Sequence, residues 1–364
     1  MVLLYALIVV VLINCGYFFL FSKFSFFTFP EITSEKNYPV SLIVCAKNEA
    51  ENLQKHIPLW LNQNHPDYEL ILIDDASIDD TLEVMESFQN EYPQIQIVKV
   101  KNNEAFWANK KYALTLGLKR AKNQRLLFTD ADCKPASNEW LSTMTAEFSE
   151  EKQLILGYGA YQKGRGLLNR LIRFETLMTA LQYFSYAKAK IPYMGVGRNL
   201  AYTAKLYYDN KGFMSHIKVP SGDDDLFVNE AATPNNTAIC VSEKAFTYSI
   251  PKTTWNEWWR QKKRHITTAK LYKPLHKFLL ALYYLSTISF WVLAVLTLIF
   301  SSWKLALPIV IFRFLIEYIV VGKAANKLGE KDLIPFIPFF ELFLVCYQMS
   351  IFISNSRTKQ SRWK

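Results

Sequence analysis

The sequence predicts an α/β fold: a Rossmann-like, mostly parallel sheet over residues 36–270, with apolar helices before and after it. Three observations predict it. Short apolar runs alternate with helical stretches between residues 39 and 130, which is the pattern of βαβ units. The apolar excess is concentrated in the first 22 residues and about the last 90, which separates membrane segments from an ordinary folded domain. Acidic residues recur where the apolar runs stop. The expected organisation is an N-terminal anchor over 1–22, an α/β domain over 36–270 and a C-terminal membrane region of two to three helices over 278–354.

"VLLYALIVVVLINCGYFFLF" (2–21) carries no charge and is long enough to cross about 30 Å of hydrocarbon. No basic stretch precedes it and no small-residue cleavage site follows it, so an uncleaved anchor is expected. "PVSLIVCA" (39–46) is a continuous apolar run rich in β-branched residues, the signature of a buried parallel strand, and a helix follows through Leu61. "YELILIDD" (68–75) is a second strand and Asp79–Asn90 a second helix. "IQIVKV" (95–100) is a third strand and 107–121 a third helix. "RLLFTD" (125–130) is a fourth strand. Residues 278–300 and 305–321 read as membrane spans. Residues 333–354 carry Pro335, Pro338 and Glu341 and are expected to be re-entrant or interfacial. Were every segment to span with the domain inside, the tail "SRTKQSRWK" would lie outside despite its four basic residues. Arg313 and Glu317, four apart on one helix, are expected to pair inside the bundle. Lys23 and the basic domain after the first segment predict an integral cell-membrane protein with its α/β domain in the cytoplasm.

A chain that is 51% hydrophobic and 20% charged is not disordered. The net charge of +10 suits an anionic membrane face or phosphate-bearing substrates. No nucleic-acid motif accompanies it, and the basic residues cluster near the apolar segments instead, so no nucleic-acid partner is expected. The five cysteines are scattered and odd in number; they give neither zinc spacing nor a disulfide framework and fit a reducing compartment. The five histidines form no clustered ligand set.

In doubly wound sheets, ligands bind beyond the carboxyl ends of the strands. Three of the expected strands end in polar residues: Asn48-Glu49, Asp74-Asp75 and the pair Asp130/Asp132. Carboxylates gathered at one edge repel each other unless something positive joins them. A hard divalent cation, Mg²⁺ or Mn²⁺, prefers such oxygen ligands and bridges them to a diphosphate.

"SLIVCAKNEAENL", "ILIDDASIDDT", "NKKYALTLGL", "LLFTDADCKP", "SGDDDLFVNEA" and "WWRQKKRH" occur in that order. The ordered set, over about 38–270, resembles the inverting family-2 glycosyltransferases of GT-A fold, closest in style to the membrane-bound branch of cellulose, chitin and hyaluronan synthases. The resemblance implies a nucleotide-sugar donor, with a UDP-sugar favoured, a divalent metal, and inverting transfer to a lipid or glycan acceptor at the membrane. It puts Ala46, Glu49, Asp74, Asp75 and Lys110 around the nucleotide, Asp130 and Asp132 at the metal and diphosphate, and Gln261 and Arg264 toward the donor phosphates. The family often has glycine where this chain has Asn109. Asp224 matches the catalytic base, with Asp223 the alternative if the motif aligns one residue earlier. His265 replaces the tryptophan that belongs to the acceptor site of processive synthases.

Each role has a physical rationale. A metal at Asp132, steadied by Asp130, would stabilise the diphosphate as it leaves. Gln261 and Arg264, three apart on a helix, share a face, and the Arg264 fork suits phosphate oxygens. Trp255, Trp258 and Trp259 on that basic helix are expected among lipid headgroups. Repulsion among Asp223, Asp224 and Asp225 would raise one pKa, as a base requires. Ser221 is expected to cap the helix that follows. "GVGRNLAY" (195–202) is expected on the acceptor side through Gly197, Arg198 and Asn199, with His265. A processive synthase and a non-catalytic nucleotide-binding scaffold remain the alternative readings.

Overall fold

The computed structural model of the protein describes residues 1–28, 38–101 and 110–356. It divides into two compact units. One holds the sheet and lies within Phe29–Gln162 and Lys190–Pro251. The other holds the apolar helices and lies within Met1–Thr28, Lys163–Ala189 and Lys252–Lys359. The domain expected as one run, 36–270, is thus interrupted, since residues 163–189 and 252–270 group with the apolar helices.

The sheet unit is the α/β fold that the alternating runs predict. Strands β1 (Val40–Ala46), β2 (Tyr68–Asp74), β3 (Ile95–Lys99) and β4 (Arg125–Asp130) fall within a residue or so of the expected runs. Helices α2 (Ala50–Leu61), α3 (Thr81–Glu91) and α4 (Lys110–Arg120) connect them, after an N-terminal helix α1 (Val2–Ser25). Asn109 and the expected helical residues 107–109 lie outside the described residues. The chain continues through β5 (Cys133–Pro135), α5 (Trp140–Ala146), β6 (Leu154–Leu156) and β7 (Gly159–Tyr161). After helix α6 (Leu167–Lys188) come β8 (Leu200–Thr203), α7 (Ala204–Asp209), α8 (Asp225–Ala231), β9 (Thr237–Ile239) and β10 (Thr247–Ser249).

The seven-stranded sheet has the order β3-β2-β1-β4-β8-β6-β9, and a second sheet has the order β5-β10-β7. β1 to β4 are mutually parallel, and β8 runs antiparallel to both β4 and β6. Helices cover the parallel strands, so β1 can be apolar on both faces, and all of its residues except Cys45 are buried. Helix α2 buries Leu53, Ile57 and Trp60 against the same core, at the spacing of one helical face. Helix α4 approaches the sheet at Gly117, where a Cβ would lie 2.3 Å from Ile73 Cδ1. A larger residue there would have to displace the Ile73 side chain from the core.

Register then delivers chemistry to one edge. Cys45 is opposite Asp130 across β1 and β4, and Ala46 is opposite Asp74 across β1 and β2. The carboxylates of adjacent strands therefore end level with one another.

The helical unit comprises α1, α6, α9 (Trp255–His265), α10 (Pro274–Phe300), α11 (Trp303–Lys327) and α12 (Ile337–Ser356). Four of its segments are long and apolar enough to cross a membrane: Val2–Ser25, Pro274–Phe300, Trp303–Lys327 and Lys331–Ser354. The last was expected to be re-entrant or interfacial. Its prolines instead sit in and just after a short 3-10 turn, Lys331–Phe336, where they do not interrupt α12. The tail from residue 357 lies outside the described residues. Arg313 pairs with Glu317 as expected, and also with Glu341 at 2.5 Å. It donates from Nε to Asn14 Oδ1 at 3.2 Å, and Trp291 Nε1 donates to Glu341 Oε2 at 3.1 Å. These charges offset one another inside the helical unit, although Glu317 Oε1 is buried without a hydrogen-bond partner among the described residues.

Candidate active site

Two loops form the first wall. The loops after β1 and β2 are cross-tied: Asn48 N donates to Ser77 Oγ at 3.0 Å, Ile78 N to Asn48 Oδ1 at 2.9 Å, and Glu49 N to Thr81 Oγ1 at 2.8 Å. Asn48 and Ala76 hold left-handed backbone, φ 57° and 53°, a cost that the cross-ties over-determine. Asp74 accepts from Ser77 N at 3.1 Å, so it braces its own loop. Asp75 N donates to Ala46 O at 2.9 Å, and the Asp75 carboxylate lies 3.9 Å from Lys47 Nζ. Burial raises its pKa from the ordinary aspartate value, and the Lys47 charge opposes that rise.

The second wall is the end of β4. Lys110, at the start of α4, donates to Asp130 Oδ1 at 2.7 Å and lies 3.1 Å from Asp223 Oδ2. One ammonium therefore links the Asp130/Asp132 motif to the acidic cluster about ninety residues later. His56 on α2 hydrogen-bonds Ala131 O at 2.8 Å. A carbonyl only accepts, so Nδ1 carries the proton, and the bond fixes the residue between the two aspartates.

Among the described residues, Asp130, Asp132 and Cys133 are the one group of three His, Cys, Asp or Glu side chains that could hold a metal, their ligand atoms lying within 4.8 Å of one another. The Cys133 thiol points at Asp132 Oδ1 at 3.4 Å, and burial pushes its pKa well up. A thiol is a soft donor, poorly matched to a hard cation. The remaining donors, two carboxylates, fit a hard cation such as Mg²⁺ or Mn²⁺.

The acidic cluster forms the third wall. Asp224, and not Ser221, occupies the N-cap of α8. Its Oδ2 accepts from Gly197 N at 2.7 Å and its Oδ1 from Asp225 N at 2.7 Å. Burial raises its pKa, the neighbouring charges of Asp223 and Asp225 raise it further, and the result is about 7. Burial acts in the same direction on Asp223, but Lys110 outweighs it and holds that carboxyl below its ordinary value. Asp130, Lys110, Gly197, Asp223 and Asp224 line one cleft with Cys45 and Tyr202.

The "GVGRN" loop does not meet its expectation as a unit. Gly197 stands in the cleft and orients Asp224. Asn199 is fully buried; its Oδ1 accepts from Trp140 Nε1 at 3.1 Å, and its Nδ2 donates to Tyr158 O at 3.0 Å and Ala245 O at 2.7 Å. Both ends of the amide are used to brace the fold, so Asn199 does not face an acceptor. Arg198 donates from Nη1 to Ala160 O at 3.1 Å and Ser249 Oγ at 2.9 Å, and stacks over Tyr161 at 4.1 Å. These contacts fix the guanidinium, and, against the effect of burial, the neighbouring Tyr161, Cys133, Asp132 and Asp130 favour its cationic form.

Gln261, Arg264 and His265 share α9 in the helical unit, which starts at a capping box between Thr254 and Glu257. Lys262 pairs with Glu175 of α6, and His265 is exposed. Trp258 departs from the headgroup expectation: it is fully buried and stacks on Tyr347 with centroids 4.2 Å apart. Sequence reasoning also passed over Lys111. It lies on the apolar face of α4 with Leu114 and Leu118, and a lysine at that spacing is the signal that could have found it.

The fold is that of the GT-A type. Residues 41–207 match the model of glycosyl transferase family 2. Over 95 residues it is 38% identical to a cholesterol galactosyltransferase of Borreliella burgdorferi, a match covering 26% of this chain and 25% of that protein. Over 104 residues it is 32% identical to glycosyltransferase AglE of Haloferax volcanii, covering 28% of this chain and 33% of that one. The chain thus aligns with about a quarter to a third of the length of these curated relatives. A mannosyltransferase from Pyrobaculum calidifontis, solved in complex with GDP-Man and Mn²⁺, shares the fold with a TM-score of 0.59 and 16% identity, over 93% of this chain and 99% of that one.

Proposed function

We propose that this protein is a membrane-anchored glycosyltransferase that moves a sugar from a nucleotide-sugar donor to a hydroxyl of a lipid or glycan acceptor, with inversion and with a divalent metal. The observation that carries the reading is the meeting, in one cleft, of Asp130, Lys110 and an Asp224 carboxyl whose pKa is about 7. A base with that pKa is half-ionised near neutrality, where proton abstraction from a hydroxyl is most efficient.

The first wall, with Ala46, Glu49, Asp74 and Asp75, receives the nucleoside. Asp130 and Asp132 would hold Mg²⁺ or Mn²⁺, which would supply electrostatic stabilisation of the departing diphosphate. Lys110 keeps positive charge at the same edge and keeps Asp223 ionised. The Gly197 N–H orients Asp224, which takes the proton of the acceptor hydroxyl as that oxygen attacks the anomeric carbon. Asp223, already committed to Lys110, is the weaker candidate for the base. By the family resemblance, Gln261 and Arg264 are assigned to the donor phosphates and His265 to the acceptor side, while Arg198, held by Ala160, Ser249 and Tyr161, serves that side only indirectly. A UDP-sugar is the favoured donor, and the relative that acts on cholesterol supports a lipid acceptor. The sheet unit faces the cytoplasm, consistent with Lys23 at the end of α1.

The test is product analysis. Purified protein is incubated with labelled UDP- and GDP-sugars, membrane lipids and Mn²⁺. The expected result is one labelled glycolipid or glycan, formed from one donor and lost with chelator. Labelled product formed equally well in chelator contradicts the metal; no product from any donor in the panel contradicts the transfer.

A further inference from the structure

Lys111 is the second residue of α4 and is only 1% exposed. Its Nζ donates to His216 O at 2.7 Å and to Val219 O at 3.1 Å. Those carbonyls belong to the segment that leads into the acidic cluster. The segment ends at Gly222, whose φ of 96° is left-handed and whose added Cβ would lie 2.4 Å from Leu226 Cδ1. Lys110, the preceding residue, grips Asp223 at the far end of the same segment. Two consecutive lysines of one helix turn thus hold the segment at both ends.

A buried ammonium is costly unless it is used. Burial lowers the Lys111 pKa to about 8, against the opposing charges of Asp223, Asp225, Asp224 and Glu230. It is therefore a cation at neutral pH. The groups around it are those four carboxylates and the His216 imidazole, which lies beside Ser215 Oγ at 2.8 Å and Glu230 at 3.5 Å. Asp224 in turn faces Asp223, Asp225 and Lys110, with Cys45 of β1 and Tyr202 of β8 in the same cleft.

We propose that Lys111 is a positioning residue for the sugar-transfer step: its ammonium ties α4 to the carbonyls of His216 and Val219 and so sets the direction in which Asp224 presents its carboxylate to the acceptor. The inference rests on the reading of Asp224 as the base. Lys111 is buried and does not line the cleft, so its loss should act on kcat and leave the KM of the nucleotide sugar in place. Its charge also favours ionised neighbours, so its loss should move the acid limb of the rate profile to higher pH.

The experiment measures transfer from pH 5 to 9 for wild type, Lys111→Met, Lys111→Arg and Asp224→Asn. The donor is whichever of UDP-glucose, UDP-N-acetylglucosamine and GDP-mannose turns over with membrane lipid, and thermal unfolding is recorded for each variant. The expected result for Lys111→Met is a fall in kcat of about tenfold or more, a donor KM within about twofold of wild type, and an acid limb moved to higher pH; Lys111→Arg recovers most of both effects. If Lys111→Met does not fold, Lys111→Gln, which keeps a donor without the charge, is read in the same way. Wild-type kcat with an unmoved limb overturns the inference, as does a rate that falls only with the folded fraction. An active Asp224→Asn removes the base reading and this inference with it. An inactive Asp224→Asn beside an unshifted Lys111→Met overturns the inference alone.

Discussion

Asp223 and Asp224 are adjacent and equally enclosed, yet their pKa values move apart. Lys110 makes the difference, because it contacts Asp223 directly and leaves Asp224 to face two negative neighbours. The consequence is a pH profile. The base acts ionised, so kcat/KM should rise with pH up to about 7 and then level off. An ordinary aspartate would give a flat profile over that range. Replacing Asp223 with Asn removes a negative charge beside Asp224 and frees Lys110, and both changes favour the Asp224 carboxylate. The acid limb of Asp223→Asn should therefore move to lower pH, which stopped assays at fixed donor concentration would record. Asp132→Asn tests the other wall. It should abolish Mn²⁺-dependent binding of nucleoside diphosphate, measured calorimetrically, without lowering the unfolding temperature of the sheet unit; unchanged binding removes Asp132 from the metal site.

At the scale of elements, the parallel strands were legible because burial on both faces writes continuous apolar runs into the sequence. The carboxylates at their ends were legible because register brings adjacent strand ends level. The strands β5, β6, β7, β9 and β10 were not legible, since three residues show no period. Helices α6 and α9 read as parts of the sheet domain because an amphipathic pattern says that a face is buried and not against which core. Asn199 looked like a substrate group beside two glycines, but it is a brace, and Gly157 shows why. A Cβ there would lie 2.6 Å from the Asn199 side chain and 2.9 Å from its carbonyl oxygen. Gly157→Ala should destabilise the protein by about 1–3 kcal/mol, read as a lowered unfolding temperature together with weakened transfer. In the helical unit, Arg313→Met leaves Glu317 and Glu341 buried without their cation. The expected loss is about 3–5 kcal/mol, measured by unfolding in detergent. A loss below about 1 kcal/mol, the scale of an exposed pair, would mean that the cluster is solvated.

For the molecule as a whole, the proposed reading joins four helices long and apolar enough to cross a membrane to a domain that matches glycosyl transferase family 2. Single-cysteine variants within 38–250 should react with a membrane-impermeant maleimide only after permeabilisation, because Lys23 predicts a cytoplasmic sheet unit. Labelling in intact cells would reverse that orientation. The central claim is that Asp224 is the base of an inverting transfer at the Asp130/Asp132 edge, and its most direct test is Asp224→Asn assayed for both nucleotide binding and transfer, with the anomeric configuration of the wild-type product determined by proton NMR. The account predicts an inverted product, nucleotide affinity unchanged in the variant, and a transfer rate lower by about 10²–10⁴-fold. A product of retained configuration, or an Asp224→Asn variant that transfers at the wild-type rate, would contradict it.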